Sequence, residues 1–279
     1  MALTLMYITN DPVTASIAQS AGVDRIWIDM EYIGKAKRQG GMDTVMNHHT
    51  IDDIRRLRPL VTTSELMVRV NPIHDSSAEY TSSEQEIKDA ISAGADIVML
   101  PMFHSKPEVE RFVRCVNGKA KVLLLLETAE AAEHIDDILA VDGVDEIHIG
   151  LNDLHLAYGK KFMFELLCDG TVDKLCRRFA EKGIRYGFGG IVRLGYGLLP
   201  AENVIAEHYR LGSKMAILSR SFCSADKIDD AAELEKIFVS EVRKIREFEN
   251  TVMQYGEEDF KRNQRIIAEK VVDIVKHLK

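Results

Sequence analysis

The sequence lacks the hallmarks of several large protein classes. Its four cysteines, Cys115, Cys168, Cys176 and Cys223, form no C-x-x-C pair and no set with zinc-ligand spacing, so we expect reduced thiols. No apolar run approaches the roughly 20 residues of a membrane span. The N-terminal segment MALTLMYITNDP has neither the cationic start nor the apolar run of a signal peptide. We therefore expect a cytoplasmic protein that does not insert into membranes.

Positive charge and nucleotide-binding motifs are also scarce. The chain carries 36 Lys and Arg against 44 Asp and Glu, a formal net charge of −8, and it shows no basic stripe. Nucleic-acid binding needs clustered Lys and Arg to meet phosphates, so we expect no nucleic-acid partner. G-x-G-x-x-G, P-loop and G-x-S-x-G motifs are all absent, and this disfavours dinucleotide binding, P-loop phosphate binding and α/β-hydrolase chemistry.

What the sequence does contain is a recurring helix–glycine–strand pattern. A helical run ends in glycine and a short apolar run follows, as in SAGVDRIWIDM, SAGADIVMLP, EKGIRYGFGG and RLGSKMAILSR. The pattern predicts strands near 3–9, 25–30, 65–70, 96–101, 121–127, 146–150, 185–190 and 214–220. Eight strands alternating with helices in 279 residues favour an α/β fold of the (β/α)8 TIM-barrel type, with a doubly wound open sheet as the alternative.

Two segments stand outside this repeat in what we expect to be one domain, residues 1–279. Residues 33–49 form a long polar loop after the second strand, and residues 227–279 form a C-terminal helical extension. The extension carries two apolar helical stripes: Leu234, Ile237, Phe238, Val242, Ile245, Phe248 and Val252, then Ile267, Val271, Ile274 and Leu278. A neighbouring subunit is one place to bury the second stripe, so we expect a homo-oligomer.

Ionisable residues follow several of the predicted strands. In TIM barrels the active site lies at the carboxyl ends of the strands. Here strand 2 ends at Asp29 with Glu31 beyond it, strand 3 ends at Arg69, strand 5 ends at Glu127, and Asp153 follows strand 6. No predicted strand ends in Lys, so Schiff-base catalysis is disfavoured.

The pair Glu127 and Asp153 predicts a metal site. Neighbouring strands lie about 4.8 Å apart, and two carboxylates so close repel unless they share a proton or a cation. A hard divalent cation suits such oxygen ligands; the alternative is a solvated acidic rim. Arg69 suits a carboxylate or a developing enolate oxygen. Its alternative role is a structural ion pair with Asp29 or Glu31.

At these residues the sequence resembles the HpcH/HpaI aldolase and citrate lyase beta-subunit family, within the phosphoenolpyruvate/pyruvate-binding barrels. The strand–Glu element followed by IG-x-x-DL is its most specific part. The matching stretches are WIDME (27–31), MVRVNP (67–72), AGADIVMLPM (93–102), LLLLETAEA (123–131), VDGVDEIHIGLNDLHLAYG (141–159) and parts of GFGG (187–190).

The resemblance implies a class II aldolase or an acyl-CoA or citryl lyase. It implies that Glu127 and Asp153 bind Mg²⁺ or Mn²⁺, which chelates a 2-oxo acid such as pyruvate. Arg69 would then steady the enolate, and backbone amides near Gly150, Asn152 and Asp153 would hold the substrate carboxylate. Family members are often hexamers in which C-terminal helices of paired subunits exchange, which gives the second stripe a candidate partner.

One departure concerns the general base. In the pyruvate aldolases a His follows the strand-2 acid, and here Tyr32 stands in its place. Tyr has an ordinary pKa near 10, whereas His titrates near 6.5. We therefore predict that His49, rather than His48, is the base, held near the strand-2 rim by a helix that begins with Thr50 as N-cap. Glu31 or a metal-bound hydroxide is the alternative.

Three functions follow from these residues. The first is a metal-dependent lyase that cleaves or forms a bond between a pyruvate-type enolate and an aldehyde. The second is a CoA-thioester lyase or hydrolase on the same metal site, with Arg193, Arg220 and Lys35–Arg38 as candidates to meet the CoA phosphates. The third is a non-catalytic barrel that binds a metabolite, which the joint presence of Glu127, Arg69 and Asp153 disfavours.

Overall fold

A computed structural model describes residues 2–34, 48–223, 225, 228 and 230–278. Eight parallel strands close into a barrel in the order β1 to β8. They are β1 (Thr4–Ile8), β2 (Arg25–Asp29), β3 (Glu65–Arg69), β4 (Ile97–Leu100), β5 (Lys121–Leu126), β6 (Glu146–Ile149), β7 (Arg185–Ile191) and β8 (Met215–Leu218). The predicted TIM barrel is confirmed, and each strand begins and ends within two residues of its prediction.

Helices connect and surround the strands. They are α1 (Pro12–Ser20), α2 (Ile51–Leu57), α3 (Ser83–Ala93), α4 (Lys106–Val116), α5 (Ala129–Glu133), α6 (Ile135–Leu139), α7 (Leu151–Ala157), α8 (Glu165–Cys168), α9 (Thr171–Lys182), α10 (Ala201–Arg210), α11 (Ala231–Val252) and α12 (Glu257–His277), with a 3₁₀ turn at Arg220–Phe222. Gly94 ends α3 with φ +112°, a left-handed conformation that glycine adopts without steric cost. None of the helices in the described residues is long and apolar enough to cross a membrane.

The strands are apolar because both of their faces are covered. One face packs under the helices, and the other fills the barrel with a separate cluster of Met6, Trp27, Met67, Ile97, Met99, Leu123, Leu125 and Met215. Below this cluster the buried Arg25 guanidinium lies 2.8 Å from Glu146 Oε1 and also bonds Glu65. This ion pair lies at the amino end of the barrel, opposite the strand ends that carry the predicted site residues.

Both C-terminal helices pack on their own barrel. α11 covers α1 and α10, and Phe238 meets Tyr7 of β1 edge-on at 5.0 Å. α12 packs on α10 and α8 and buries Ile267 and Val271. The second apolar stripe is thus largely covered within the chain, so it does not require a partner subunit, and the oligomeric state stays a prediction.

Because two histidines are buried, His208 and His148, we expect the free energy of unfolding to fall in mild acid. Burial lowers the pKa of His208, in α10, to about 3 and that of His148, in β6, to about 4. In the unfolded chain both take up a proton near pH 6.5. Between pH 6.5 and these lower values the unfolded state binds more protons. The stability contributed by the neutral rings is therefore full above pH 6.5 and is lost progressively as pH falls towards 4 and 3.

From pH 7.5 to 5.0 each ring should lower the free energy of unfolding by about 2 kcal/mol. Urea unfolding of His208→Asn at the two pH values should show a smaller pH effect than in the parent. Asn retains a polar group towards Ser213, whose hydroxyl lies 2.7 Å from His208 Nδ1. The exposed His277→Asn is the matched control and should behave as the parent. An equal pH effect in the parent and His208→Asn would contradict the prediction.

Candidate active site

A cavity of about 430 Å³ opens at the carboxyl ends of the strands. Its polar lining includes Arg69, Glu127, Asn152 and Asp153, together with the backbone of Gly150. Of the strand-end residues named in the sequence analysis, Arg69, Glu127 and Asp153 line this cavity, whereas Asp29 and Glu31 do not line it and contact Arg69 instead. Its apolar lining includes Trp27, Leu125, Leu151, Phe162, Met163, Phe164, Leu198, Leu199 and Ile217.

Arg69 is held at the rim by two buried acids. Its Nε and Nη2 donate to the two carboxylate oxygens of Asp29 at 2.7 and 2.8 Å, and Nη1 lies 3.3 Å from Glu31 Oε2. Its guanidinium also stacks 5.0 Å above the Trp27 ring. Burial alone would lower the pKa of Arg69. The negative charges of Asp29 and Glu31 outweigh this effect, so the pKa lies above the ordinary value for arginine. The ion pair that the sequence analysis gave as the alternative role of Arg69 is therefore present, and the same side chain also lines the cavity.

Glu127 follows β5 and is almost completely buried. Its Oε1 accepts a hydrogen bond from the backbone N–H of Met102 at 3.1 Å. Met102 has φ +49°, in the left-handed region that non-glycine residues rarely adopt. Such strain collects where the surrounding structure requires it, often at functional sites. Here the residue with the strained backbone, Met102, is also the one whose N–H orients the Glu127 carboxylate.

Gly150 packs directly against the other side of Glu127. A Cβ on Gly150 would lie 2.8 Å from Glu127 Oε2 and 3.0 Å from Glu127 Cβ. The φ of Gly150 is −79°, which any residue can adopt, so the reason for glycine here is the close approach alone. The two positions therefore depend on each other.

This contact predicts that Gly150→Ala displaces the Glu127 carboxylate and impairs catalysis. A displacement of about 1 Å in a positioned group can cost about 10²-fold in rate, so we expect kcat to fall by 10- to 100-fold while the fold is retained. The control is Gly256→Ala, whose added Cβ would meet no atom closer than 4.0 Å. Steady-state kinetics and circular dichroism of both variants test this, and parent-like activity in Gly150→Ala would refute it.

Asp153 and Asn152 lie in the first turn of α7, which begins after Gly150. Asp153 is half-buried and Asn152 is exposed. Backbone N–H groups in the first turn of a helix have no acceptor within the helix. The amides of Asn152 and Asp153 therefore belong to a turn suited to an anionic group, beside the carboxylate of Asp153 itself.

Comparison with known proteins assigns the sequence to a family. Residues 3–163 match the sequence profile described as HpcH/HpaI aldolase/citrate lyase, which is more than half of the chain. The chain belongs to the HpcH/HpaI aldolase/citrate lyase family. The matched region contains β1 to β6 and with them Arg69, Glu127 and Asp153.

Solved structures of this family share the fold. An HpcH/HpaI aldolase/citrate lyase family protein from Burkholderia cenocepacia J2315 superposes with a TM-score of 0.61 at 15% identity, over 85% of this chain and 95% of that one. An HpcH/HpaI aldolase from Desulfitobacterium hafniense DCB-2 gives 0.59 at 17%, over 88% and 93%. The citrate synthase SbnG gives 0.58 at 17%, over 88% and 94%. No curated protein sequence matches the chain.

Two carboxylates of this HpcH/HpaI family member, those of Glu127 and Asp153, are of the type that suits a hard divalent cation. Within the described residues no group of three or more His, Cys, Asp or Glu side chains is arranged to hold a metal. Glu127 and Asp153, which line one cavity, would therefore supply two carboxylates. Mg²⁺ typically takes only one or two carboxylates from the protein and fills its other positions with water and substrate oxygens.

His49, the predicted general base, contacts the end of β2 in a way that bears on this role. Thr50 caps α2 and forms a reciprocal capping box with Asp53. His49 Nδ1 accepts a hydrogen bond from the backbone N–H of Asp29 at 3.0 Å. A neutral ring in this contact carries its proton on Nε2 and acts there as a donor. The ring must leave this contact before Nε2 can accept a proton, and the base role stays a prediction.

Tyr32 does not compensate for the absent family histidine. Its ring is about half exposed, and burial of its hydroxyl together with the charge of Glu86 raises its pKa. Its backbone N–H donates to Asn71 Oδ1 at 2.9 Å, which ties the start of the 33–49 loop to the end of β3. A phenol with a raised pKa is a weaker candidate for the base at neutral pH.

Two buried residues with polar ring atoms that line the cavity, Trp27 and His148, are not among the sequence-predicted site residues. Trp27 and His148 lie inside the barrel below the strand ends and line the cavity. The signal that could have found them is the alternation along each strand: Trp27 precedes Asp29 by two residues, and His148 precedes Gly150 by two. Side chains two apart on a strand face the same side.

Proposed function

We propose that this chain is a divalent-metal-dependent carbon–carbon lyase that forms or cleaves the bond between a pyruvate-type enolate and an aldehyde. The observation that carries the proposal is the convergence of Glu127, Asp153 and Arg69 on one cavity at the carboxyl end of the barrel. Membership of the aldolase/citrate lyase family supports a lyase or aldolase reaction. The specific reaction rests on the chemistry of these three side chains.

Each residue has a defined part in this reaction. Glu127 and Asp153 would hold Mg²⁺ or Mn²⁺, which supplies Lewis-acid stabilisation of negative charge on the 2-oxo oxygen. Arg69, fixed by Asp29 and Glu31, presents a permanent cation to the same developing charge and needs no reorganisation during the reaction. The first-turn amides of α7 would orient the substrate carboxylate. Together they favour the enolate over the 2-oxo acid.

The walls of the cavity indicate a partner without strong charge. Among the described residues that line it, Arg69 is the only Lys or Arg, and it already pairs with two acids. The side walls are apolar, from Phe162 to Phe164 and at Leu198 and Leu199. A neutral aldehyde suits such walls better than one that carries a phosphate or a second carboxylate.

A CoA-thioester substrate is the second candidate and has less support. Arg193 donates to the backbone carbonyl of Phe222, and Arg220 is exposed in the 3₁₀ turn; neither lines the cavity. Lys35–Arg38 lie outside the described residues. A non-catalytic metabolite-binding barrel is disfavoured because three chemically active groups meet at one opening.

The test is a paired assay with and without added Mg²⁺ or Mn²⁺. We expect metal-dependent pyruvate release from 4-hydroxy-2-oxo acids, and metal-dependent exchange of deuterium from solvent into the methyl group of pyruvate. A panel of acyl-CoA esters is assayed in parallel. Turnover of an acyl-CoA without pyruvate exchange would favour the second candidate, and inactivity in every assay would refute both.

His49 is our proposed general base, and its contact with Asp29 defines the matched variants. His49→Ala should lower kcat by about 10²–10⁴-fold, the usual cost of losing a general base. His49→Asn keeps an acceptor for the Asp29 N–H but cannot take up the proton, so it should be as impaired as His49→Ala. His48→Ala should retain parent activity. If His49→Asn is active, His49 only positions β2, and Glu31 becomes the next candidate.

A further inference from the structure

Two buried polar atoms at the bottom of the cavity lack hydrogen-bond partners. Within the described residues, neither Trp27 Nε1 nor His148 Nδ1 has a partner, although both side chains are almost completely buried. Both side chains line the cavity below Arg69 and Glu127. Buried polar groups are nearly always hydrogen-bonded, so these two atoms call for polar partners that the described residues do not supply.

The two atoms have opposite hydrogen-bonding roles. His148 Nε2 lies 3.0 Å from the carbonyl oxygen of Gly189, which can only accept, so Nε2 carries the ring proton. Burial lowers the pKa of His148 to about 4, so the ring is neutral at pH 7 and Nδ1 is an acceptor. Trp27 Nε1–H is a donor only. A ligand that satisfies both atoms therefore donates to His148 Nδ1 and accepts from Trp27 Nε1–H.

The backbone of β7 is shaped around the His148 ring. A Cβ on Gly187 would lie 2.9 Å from His148 Nδ1 and 2.2 Å from the carbonyl oxygen of Met215. The pairing register between β7 and β8 shifts between Gly187 and Gly190, and Gly189 inside this irregularity has φ +51°. The carbonyl that fixes the tautomer of His148 thus comes from an irregular strand segment that glycine makes possible.

The bottom of the cavity is within reach of a small substrate held by the carboxylates. His148 precedes Gly150 by two residues, and a strand rises about 3.3 Å per residue, so the two lie about 7 Å apart along the strand. Gly150 touches Glu127, and Trp27 lies directly under the Arg69 guanidinium. A chain of four or five atoms spans this distance.

We propose that Trp27 and His148 form a polar subsite that selects an acceptor aldehyde carrying a hydroxyl group. The hydroxyl donates to His148 Nδ1, and Trp27 Nε1–H donates to an oxygen of the same half of the substrate. This inference rests on the proposed lyase function and names the class of its second substrate. The apolar walls pack on the carbon chain, and the polar subsite distinguishes a hydroxyaldehyde from its deoxy analogue.

Binding can be measured without turnover because Trp27 is the only tryptophan in the chain. Its fluorescence is titrated, with Mg²⁺ present, with 5-hydroxy-2-oxopentanoate and with 2-oxopentanoate. These 2-oxo acids differ by one hydroxyl and lack the 4-hydroxyl needed for cleavage. We expect the parent to bind the hydroxylated acid about tenfold more tightly, the value of one good hydrogen bond.

Matched variants separate the subsite from the ring's structural role. His148→Phe removes the acceptor and should abolish the preference. His148→Asn places an amide near Nδ1 and should retain most of it, whereas His148→Gln places its amide towards Gly189 and should lose it. If the parent shows no preference, or if His148→Phe keeps it, a buried water alone occupies the subsite and the proposal is wrong.

Turnover gives an independent check. The ratio of kcat/KM for glycolaldehyde over acetaldehyde should fall in His148→Phe and His148→Gln, and this fall should exceed any change in metal-dependent deuterium exchange into pyruvate. If kcat/KM for both aldehydes and the rate of deuterium exchange all fall by the same factor, the role of His148 is purely structural. If the parent itself does not exchange pyruvate, the proposed lyase function fails, while the fluorescence preference still decides whether the polar subsite exists.

Discussion

Replacing Glu127 with Gln is expected to weaken Mn²⁺ binding by at least about 100-fold and to lower kcat by about 10³-fold. Gln has nearly the same volume and can still accept from the Met102 N–H, so the local structure should persist. It carries no negative charge and is a poor ligand for a hard cation. Outer-sphere changes at metal sites already cost 10- to 100-fold in affinity, and lost transition-state stabilisation costs about 10²–10³ or more.

Titration calorimetry with Mn²⁺ and the pyruvate exchange assay together test this expectation. Asp153→Asn should reproduce both losses, because each carboxylate supplies one of the two proposed ligands. Glu130→Gln is the matched control: the same substitution is made three residues further along, on the exposed side of α5, where the carboxylate lies 3.4 Å from His104. Mn²⁺ binding in Glu127→Gln as tight as in the parent would remove the metal assignment.

The barrel and the convergence of its charged residues were predictable from the sequence for a simple physical reason. Parallel strands buried on both faces must be continuous apolar runs, as in Val122–Leu126, and all their carboxyl ends lie at one edge. A polar residue directly after such a run, such as Glu127, can therefore be placed at the opening without any tertiary information. The same logic locates Arg69, and it requires only that the strand ends are assigned within a residue or two.

Contacts that depend on long-range packing could not be predicted in this way. His49 ends a long polar segment of sequence with no periodic signal, so nothing in the sequence specifies that its Nδ1 accepts from the Asp29 N–H. The apolar stripe of α12 has the same pattern whether it packs on its own barrel or on a neighbour; only the fold shows Ile267 buried against the chain's own helices. Likewise, the missing partner of His148 Nδ1 is visible only once the ring lies inside the barrel.

Arg69 gives the second large expected effect. Arg69→Lys keeps the positive charge but loses the planar fork that meets both oxygens of Asp29 and reaches Glu31. We expect kcat/KM to fall by about 10²–10³-fold, as for loss of a preorganised group that stabilises an oxyanion. Because charge is retained beside two buried acids, the free energy of unfolding should fall much less than the roughly 3–5 kcal/mol of breaking a buried ion pair outright.

Three further variants separate a catalytic role of Arg69 from a structural one. Arg69→Met leaves Asp29 and Glu31 without their cation and should be strongly destabilised in urea. Added guanidinium, kept well below denaturing concentrations, should restore part of the pyruvate exchange in Arg69→Ala if the guanidinium itself faces the reacting oxygen. Asp29→Asn keeps Arg69 and should lose less activity than Arg69→Lys. If Arg69→Lys keeps parent kcat/KM, or if activity in all these variants follows only their stability, Arg69 is a structural residue and Glu127 and Asp153 alone carry the proposed chemistry.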